Sequence, residues 1–64
     1  MNKQEFLDVL VKEGFNASFY NNGIPTVFVD KKEKIAKIES QIKSIMKNSG
    51  YDQSYGICLL PAVI

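Results

Sequence analysis

Residues 15–29 read FNASFYNNGIPTVFV, and this stretch decides the fold. Phe15, Ala17 and Phe19 alternate with Asn16, Ser18 and Tyr20, the period of two that marks a strand. Asn22-Gly23 follows, and both residues tolerate the positive φ that a two-residue type I′ hairpin turn demands. Ile24 to Val29 is β-branched and aromatic, so it reads as the return strand. With Asn22-Gly23 as the turn, Asn21 faces Ile24, Tyr20 faces Pro25, Phe19 faces Thr26 and Ala17 faces Phe28. One face then carries Phe15, Ala17, Phe19, Ile24 and Phe28, the expected core face. The other carries Asn16, Ser18 and Tyr20 beside Val27 and Val29.

Pro25 bears on topology. It falls at a position whose nitrogen points away from the first strand, and proline has no N–H to offer a neighbour on that side. The spacing therefore predicts that the second strand is an edge near its start, with a third strand beside the first.

Upstream, Asn2 is a good N-cap with Glu5 three residues later, and Phe6, Leu7, Val9 and Leu10 cluster on one side of a 3.6-residue wheel. Gly14 closes that helix, predicted over 3–13. Downstream, Asp30 is placed to cap a second helix over 31–48. Ile35, Ile38, Ile42, Ile45 and Met46 recur there at spacings of three and four, a single stripe suited to packing on a sheet. Asn48-Ser49-Gly50 ends it. Residues 51–54 form a polar connector, and Tyr55 to Leu60 reads as a third strand apolar on both faces.

The expected fold is thus a single small α+β domain over 1–64, in the order α-β-β-α-β. It has a three-stranded sheet of order 2-1-3 with both helices on one face. This arrangement resembles a truncated ferredoxin-like split β-α-β unit. The likeness is architectural and implies no activity.

Composition narrows the function classes. Sixty-four residues with 45% hydrophobic content are globular and allow one domain. Size scaling gives roughly 4,100 Å² of folded surface and roughly 60% burial, a core too small for a deep substrate cavity. There is no His, and Cys58 stands alone, which excludes an intramolecular disulfide and a closed four-ligand zinc site. No metal or other cofactor is expected. The first residues carry no apolar leader and the longest uncharged apolar run, 57–64, is far shorter than a membrane span. The expectation is a cytoplasmic protein without membrane contact.

Catalysis finds little support. General acid–base work wants a His or a carboxylate tuned by burial, and the helical carboxylates occupy polar positions. Asp52 lies in a connector, where a lone Asp is a turn former. Cys58 has an apolar setting that favours an unreactive thiol. The chain is expected not to be an enzyme.

Two binding readings remain. Three strands and two helices leave apolar sheet surface to cover. Val27, Val29, Ile57, Leu60 and Val63 are the candidate interface residues for a homodimer or another protein partner. The alternative is a nucleic-acid binder. Six of the eight lysines, Lys31, Lys32, Lys34, Lys37, Lys43 and Lys47, fall on the second helix and outweigh Glu33 and Glu39. Lys32, Lys43 and Lys47, with Tyr51 and Tyr55 for base stacking, are the candidate contacts. No Arg is present for base-edge reading, so association with protein is the favoured expectation.

Overall fold

A computed structural model describes residues 1–60, and Val63 of the candidate interface lies outside them. The elements run α1 Lys3–Lys12, β1 Ala17–Tyr20, β2 Ile24–Val29, a 3-10 turn Lys32–Lys34, α2 Ile35–Ser49 and β3 Gly56–Leu59. The α+β class and the element order are those expected. The strand order is not.

α1 begins on a reciprocal cap. The Glu5 N–H donates to Asn2 Oδ1 at 2.8 Å, and the Asn2 N–H donates to Glu5 Oε1 at 3.0 Å. Two N–H groups that the first turn leaves without helical partners are thereby satisfied. Beyond Gly14 (φ +96°), the Phe15 N–H bonds back to the Leu10 carbonyl at 3.1 Å. Asp30 is not the cap expected for the second helix. Its carboxylate instead holds Lys34 Nζ at 2.9 Å, and the chain enters α2 through the 3-10 turn without a side-chain cap.

β1 and β2 are antiparallel, but the register differs from expectation by one residue: Tyr20 pairs with Ile24, Phe19 with Pro25, Ser18 with Thr26 and Ala17 with Val27. The cause is the turn. Asn21, Asn22 and Gly23 all adopt positive φ, at 51°, 71° and 84°, so the loop takes three residues instead of two. A slip of one residue exchanges the faces of a strand. Pro25, Val27 and Val29 therefore join Ala17 and Phe19 on one face, while Ile24 and Phe28 turn to the other with Tyr20. Ile24 and Phe28 do not belong to the core face, and Val27 and Val29 do.

The sheet order is β1-β2-β3, with β2 in the centre and β3 parallel to it. The expected order 2-1-3 is thus corrected, and the split β-α-β likeness goes with it, because the two parallel strands are direct neighbours. Pro25 permits this for a definite reason. The Phe28 N–H donates to the Asn16 carbonyl at 2.7 Å. By alternation the Pro25 nitrogen points away from β1, as expected. On that side β3 begins to pair only at Thr26, opposite Gly56. The missing N–H falls just outside the ladder and breaks no bond.

Both helices pack on one face. Phe6 and Leu10 of α1, Ile42 of α2, Val27 and Val29 of β2, and Tyr51 form one buried cluster, with Ile35, Ile38, Ile45, Met46 and Ile57 against it. The isoleucine stripe of α2 is therefore a sheet-packing face. Full burial of side chains such as Phe6 and Leu10 contributes about 1.5–3 kcal/mol each. Gly50, with φ +75°, ends α2 and turns the next residue, Tyr51, inward.

Candidate functional site

The structure divides the expected interface residues. Val27 and Val29 are 1% and 4% exposed and belong to the core, so they offer no surface. Ile57 packs against the same cluster from β3. Leu60 is exposed at 40%, and its N–H donates to the Val29 carbonyl at 2.8 Å, continuing the β3 pairing by one bond. Leu59 beside it is also exposed.

The uncovered surface is the opposite face of the sheet. Pairing places Ser18 and Tyr20 of β1, Ile24, Thr26 and Phe28 of β2, and Gly56 and Cys58 of β3 on it. The Tyr20 and Phe28 rings meet edge to face with centroids 5.9 Å apart. Thr26, between them along β2, is only 3% exposed although no helix covers it. Its hydroxyl donates to the Ile24 carbonyl at 2.9 Å and is thereby satisfied. Tyr20 itself stands 56% exposed.

Beside this aromatic pair runs a groove of about 240 Å³, lined by Tyr20, Ile24, Thr26, Tyr55, Gly56 and Cys58 among others. Its floor depends on Gly56, where a Cβ would come within 3.2 Å of Thr26 Oγ1. Cys58 is half-buried here, less enclosed than its apolar sequence neighbours suggest, because this face has no second layer. None of the seven residues on the face carries a charge. At one end, past Phe28, Asp30 is paired with Lys34 at 2.9 Å, and Lys34, with a smaller contribution from Lys31, holds the Asp30 carboxyl below its usual pKa.

Of the nucleic-acid candidates, one is buried and one is held in an ion pair. Tyr51 is 3% exposed, and its ring stacks on Phe6 with centroids 4.0 Å apart and planes 2° from parallel. Its hydroxyl donates to the Ser54 carbonyl at 2.6 Å, so the polar connector is braced onto the core. Burial, followed by the Asp52 carboxylate, raises the pKa of the Tyr51 phenol. Tyr51 has no face free for a base. Lys43 is bound to Glu39 at 3.1 Å, and that contact raises its pKa. Lys32 and Lys47 are exposed, and Tyr55 is half-buried.

Among the described residues, no group of three or more His, Cys, Asp or Glu side chains is placed to hold a metal ion, and no helix is long and apolar enough to cross a membrane. Compared with protein-family models, curated proteins and solved structures, the chain matches none.

The face residues Tyr20, Ile24, Phe28 and Cys58 escaped the sequence reading as interface candidates. The available signal was the run Asn21-Asn22-Gly23, three successive residues that tolerate left-handed backbone. A three-residue loop puts Tyr20, Ile24 and Phe28 together on the face away from Ala17.

Proposed function

We propose that this chain is a small non-catalytic association module that binds protein through the open face of its sheet. One observation carries the reading: the face bearing Tyr20, Ile24, Phe28 and Cys58 has no second layer, yet it holds no charge in a chain that is 23% charged. Scattered apolar residues on a surface are ordinary, whereas a contiguous uncharged aromatic patch is the kind of surface that partners bury. Tyr is among the residues enriched at such interfaces, since it supplies a large apolar area with a polar tip.

The test compares the wild-type chain with Tyr20→Lys, which places a charge at an exposed point of the face. Light scattering over a wide concentration range reads self-association, and affinity capture with the variant as control reads a different partner. Association that Tyr20→Lys abolishes, with its circular dichroism unchanged, supports the reading. Equal behaviour of the two chains in both measurements overturns it.

A further inference from the structure

We propose that Asn22-Gly23 is a site of covalent self-modification, at which Asn22 loses its side-chain amide and passes into aspartyl and isoaspartyl forms. The proposal concerns the hairpin turn and stands apart from whether the open face binds a partner. The pair itself is the first argument. The chain has five asparagines, and those at 2, 16, 21 and 48 are followed by Lys3, Ala17, Asn22 and Ser49. Each of these following residues carries a Cβ beside the backbone nitrogen that must attack. Gly23 carries none.

Placement is the second argument. Asn22 is exposed, and a Cβ built on Gly23 would meet nothing within 4 Å, so both reacting groups stand in open space. Among the described residues, no hydrogen bond holds the Asn22 side chain or the Gly23 N–H. Asn2, by contrast, has its side-chain oxygen engaged by the Glu5 N–H in the cap of α1. Asn22 and Gly23 also lie outside the strand ladder, in the loop that the Tyr20–Ile24 pair closes. Loops of this kind open locally at small cost. Opening frees Asn22 from its left-handed backbone, φ 71°, and lets its side chain turn onto the Gly23 nitrogen.

The step needs only water. The Gly23 nitrogen gives up its proton and attacks Cγ of Asn22. An N–Cγ bond forms, the Cγ–Nδ2 bond breaks, and ammonia leaves with the proton. Ring closure within one chain is fast for the reason that any held pair of groups is. Water then opens the five-membered imide. Attack at Cγ breaks the new bond and leaves an aspartyl residue in an ordinary chain. Attack at the main-chain carbonyl breaks the old peptide bond, so that the backbone runs through Cβ and Cγ and is longer by an atom. Either product adds a carboxylate and takes the formal net charge from +1 to zero. The two differ in the turn. Aspartate tolerates left-handed backbone as asparagine does. The isoaspartyl link lengthens the loop whose size sets the register, and so loosens the adjoining Tyr20–Ile24 pair.

The test incubates the full chain in mildly alkaline buffer beside a free peptide of residues 19–25, until that peptide has converted. Ion exchange reads the acidic form, fragmentation mass spectrometry places it, and an isoaspartyl methyltransferase with labelled methyl donor serves as reagent for the isoaspartyl link. Asn22 is expected to convert about tenfold or more faster than any other asparagine, since small displacements of an attacking atom change such rates by up to about 10²-fold. Asn22→Gly, which keeps the positive φ, should yield no early acidic form. The separated isoaspartyl form should melt below the unmodified chain, whereas Asn22→Asp should melt with it. A chain that stays unmodified, or that converts equally fast at another asparagine, overturns the site. Equal melting of the isoaspartyl form and the unmodified chain overturns its effect on the hairpin.

Discussion

The two faces of β2 are built from nearly equal apolar material and meet opposite fates. Pro25, Val27 and Val29 point into the core under both helices, with Val27 and Val29 1% and 4% exposed. Ile24 and Phe28 point to the side that no helix covers. Hydrophobicity alone gives no reason to choose between these sets, and if anything favours burying Phe28. The choice is made outside β2, by the three left-handed residues of the turn and by where α1 and α2 dock. In a strand apolar on both sides, which face is core is a property of its connections.

The sharpest way to break this contrast is a charge on each face. Val27→Asp puts a carboxylate among Phe6, Leu10 and Ile42, a cost of several kcal/mol. A domain of this size holds only about 3–10 kcal/mol in all. The variant is expected to show no cooperative thermal transition by circular dichroism. A melt close to wild type would place Val27 on the open side and invert the comparison.

Phe6→Ala probes the covering layer. It empties a fully buried site and removes the ring stacked on Tyr51. A loss of about 3–5 kcal/mol is expected from urea unfolding, as for other buried Phe truncations. A loss under 1 kcal/mol would mean that α1 contributes little to the covered face.

Tyr51→Phe keeps the ring and deletes the hydrogen bond to Ser54, for about 0.5–1.5 kcal/mol at neutral pH. The variant also alters the alkaline limb. The phenol's pKa is higher in the folded chain than in the unfolded one, where it is about 10. Its contribution is therefore complete below pH 10 and is lost as pH rises through the folded value. Between pH 10 and 12 wild-type stability should fall more steeply than that of the variant. Parallel slopes would show that Tyr51 is not desolvated.

Deleting Asn22 tests the turn with a smaller expected effect. It leaves Asn21 and Gly23 as a two-residue loop closing the same Tyr20–Ile24 pair, a favoured hairpin geometry. Stability should change by less than about 1 kcal/mol, the usual range for a compatible loop change. Outright unfolding would point to the register in which Asn21 faces Ile24. Smallest of all, Tyr20→Lys on the open face should stay within about 0.5 kcal/mol of wild type in monomer stability, as surface changes do.

Much of this fold is legible in local pattern. The Asn2–Glu5 cap, the Gly14 and Gly50 stops and the isoleucine stripe are short-range features, and each appears where its spacing puts it. The hairpin is also local, but its register hangs on whether two or three residues make the turn, and Asn21-Asn22-Gly23 supports either. That single residue moved Val27 and Val29 from candidate surface to core and brought Ile24 and Phe28 out. Tyr51 was misread for a related reason. It sits in a polar stretch, and only the direction of the chain leaving Gly50 turns its ring onto Phe6.

The sequence by itself determined the class, the order of elements and the two ends of the first helix to within a residue, because capping, periodicity and turn chemistry act within a few residues. It also determined the direction of the Pro25 nitrogen. The tertiary structure alone decided where β3 pairs, and so that β2 is central, because the ladder could begin at Thr26 and leave Pro25 outside it. It alone decided which face of β2 the helices cover. Pairing partners and faces depend on contacts between residues far apart in the chain, and a strand apolar on both sides carries no local mark of either.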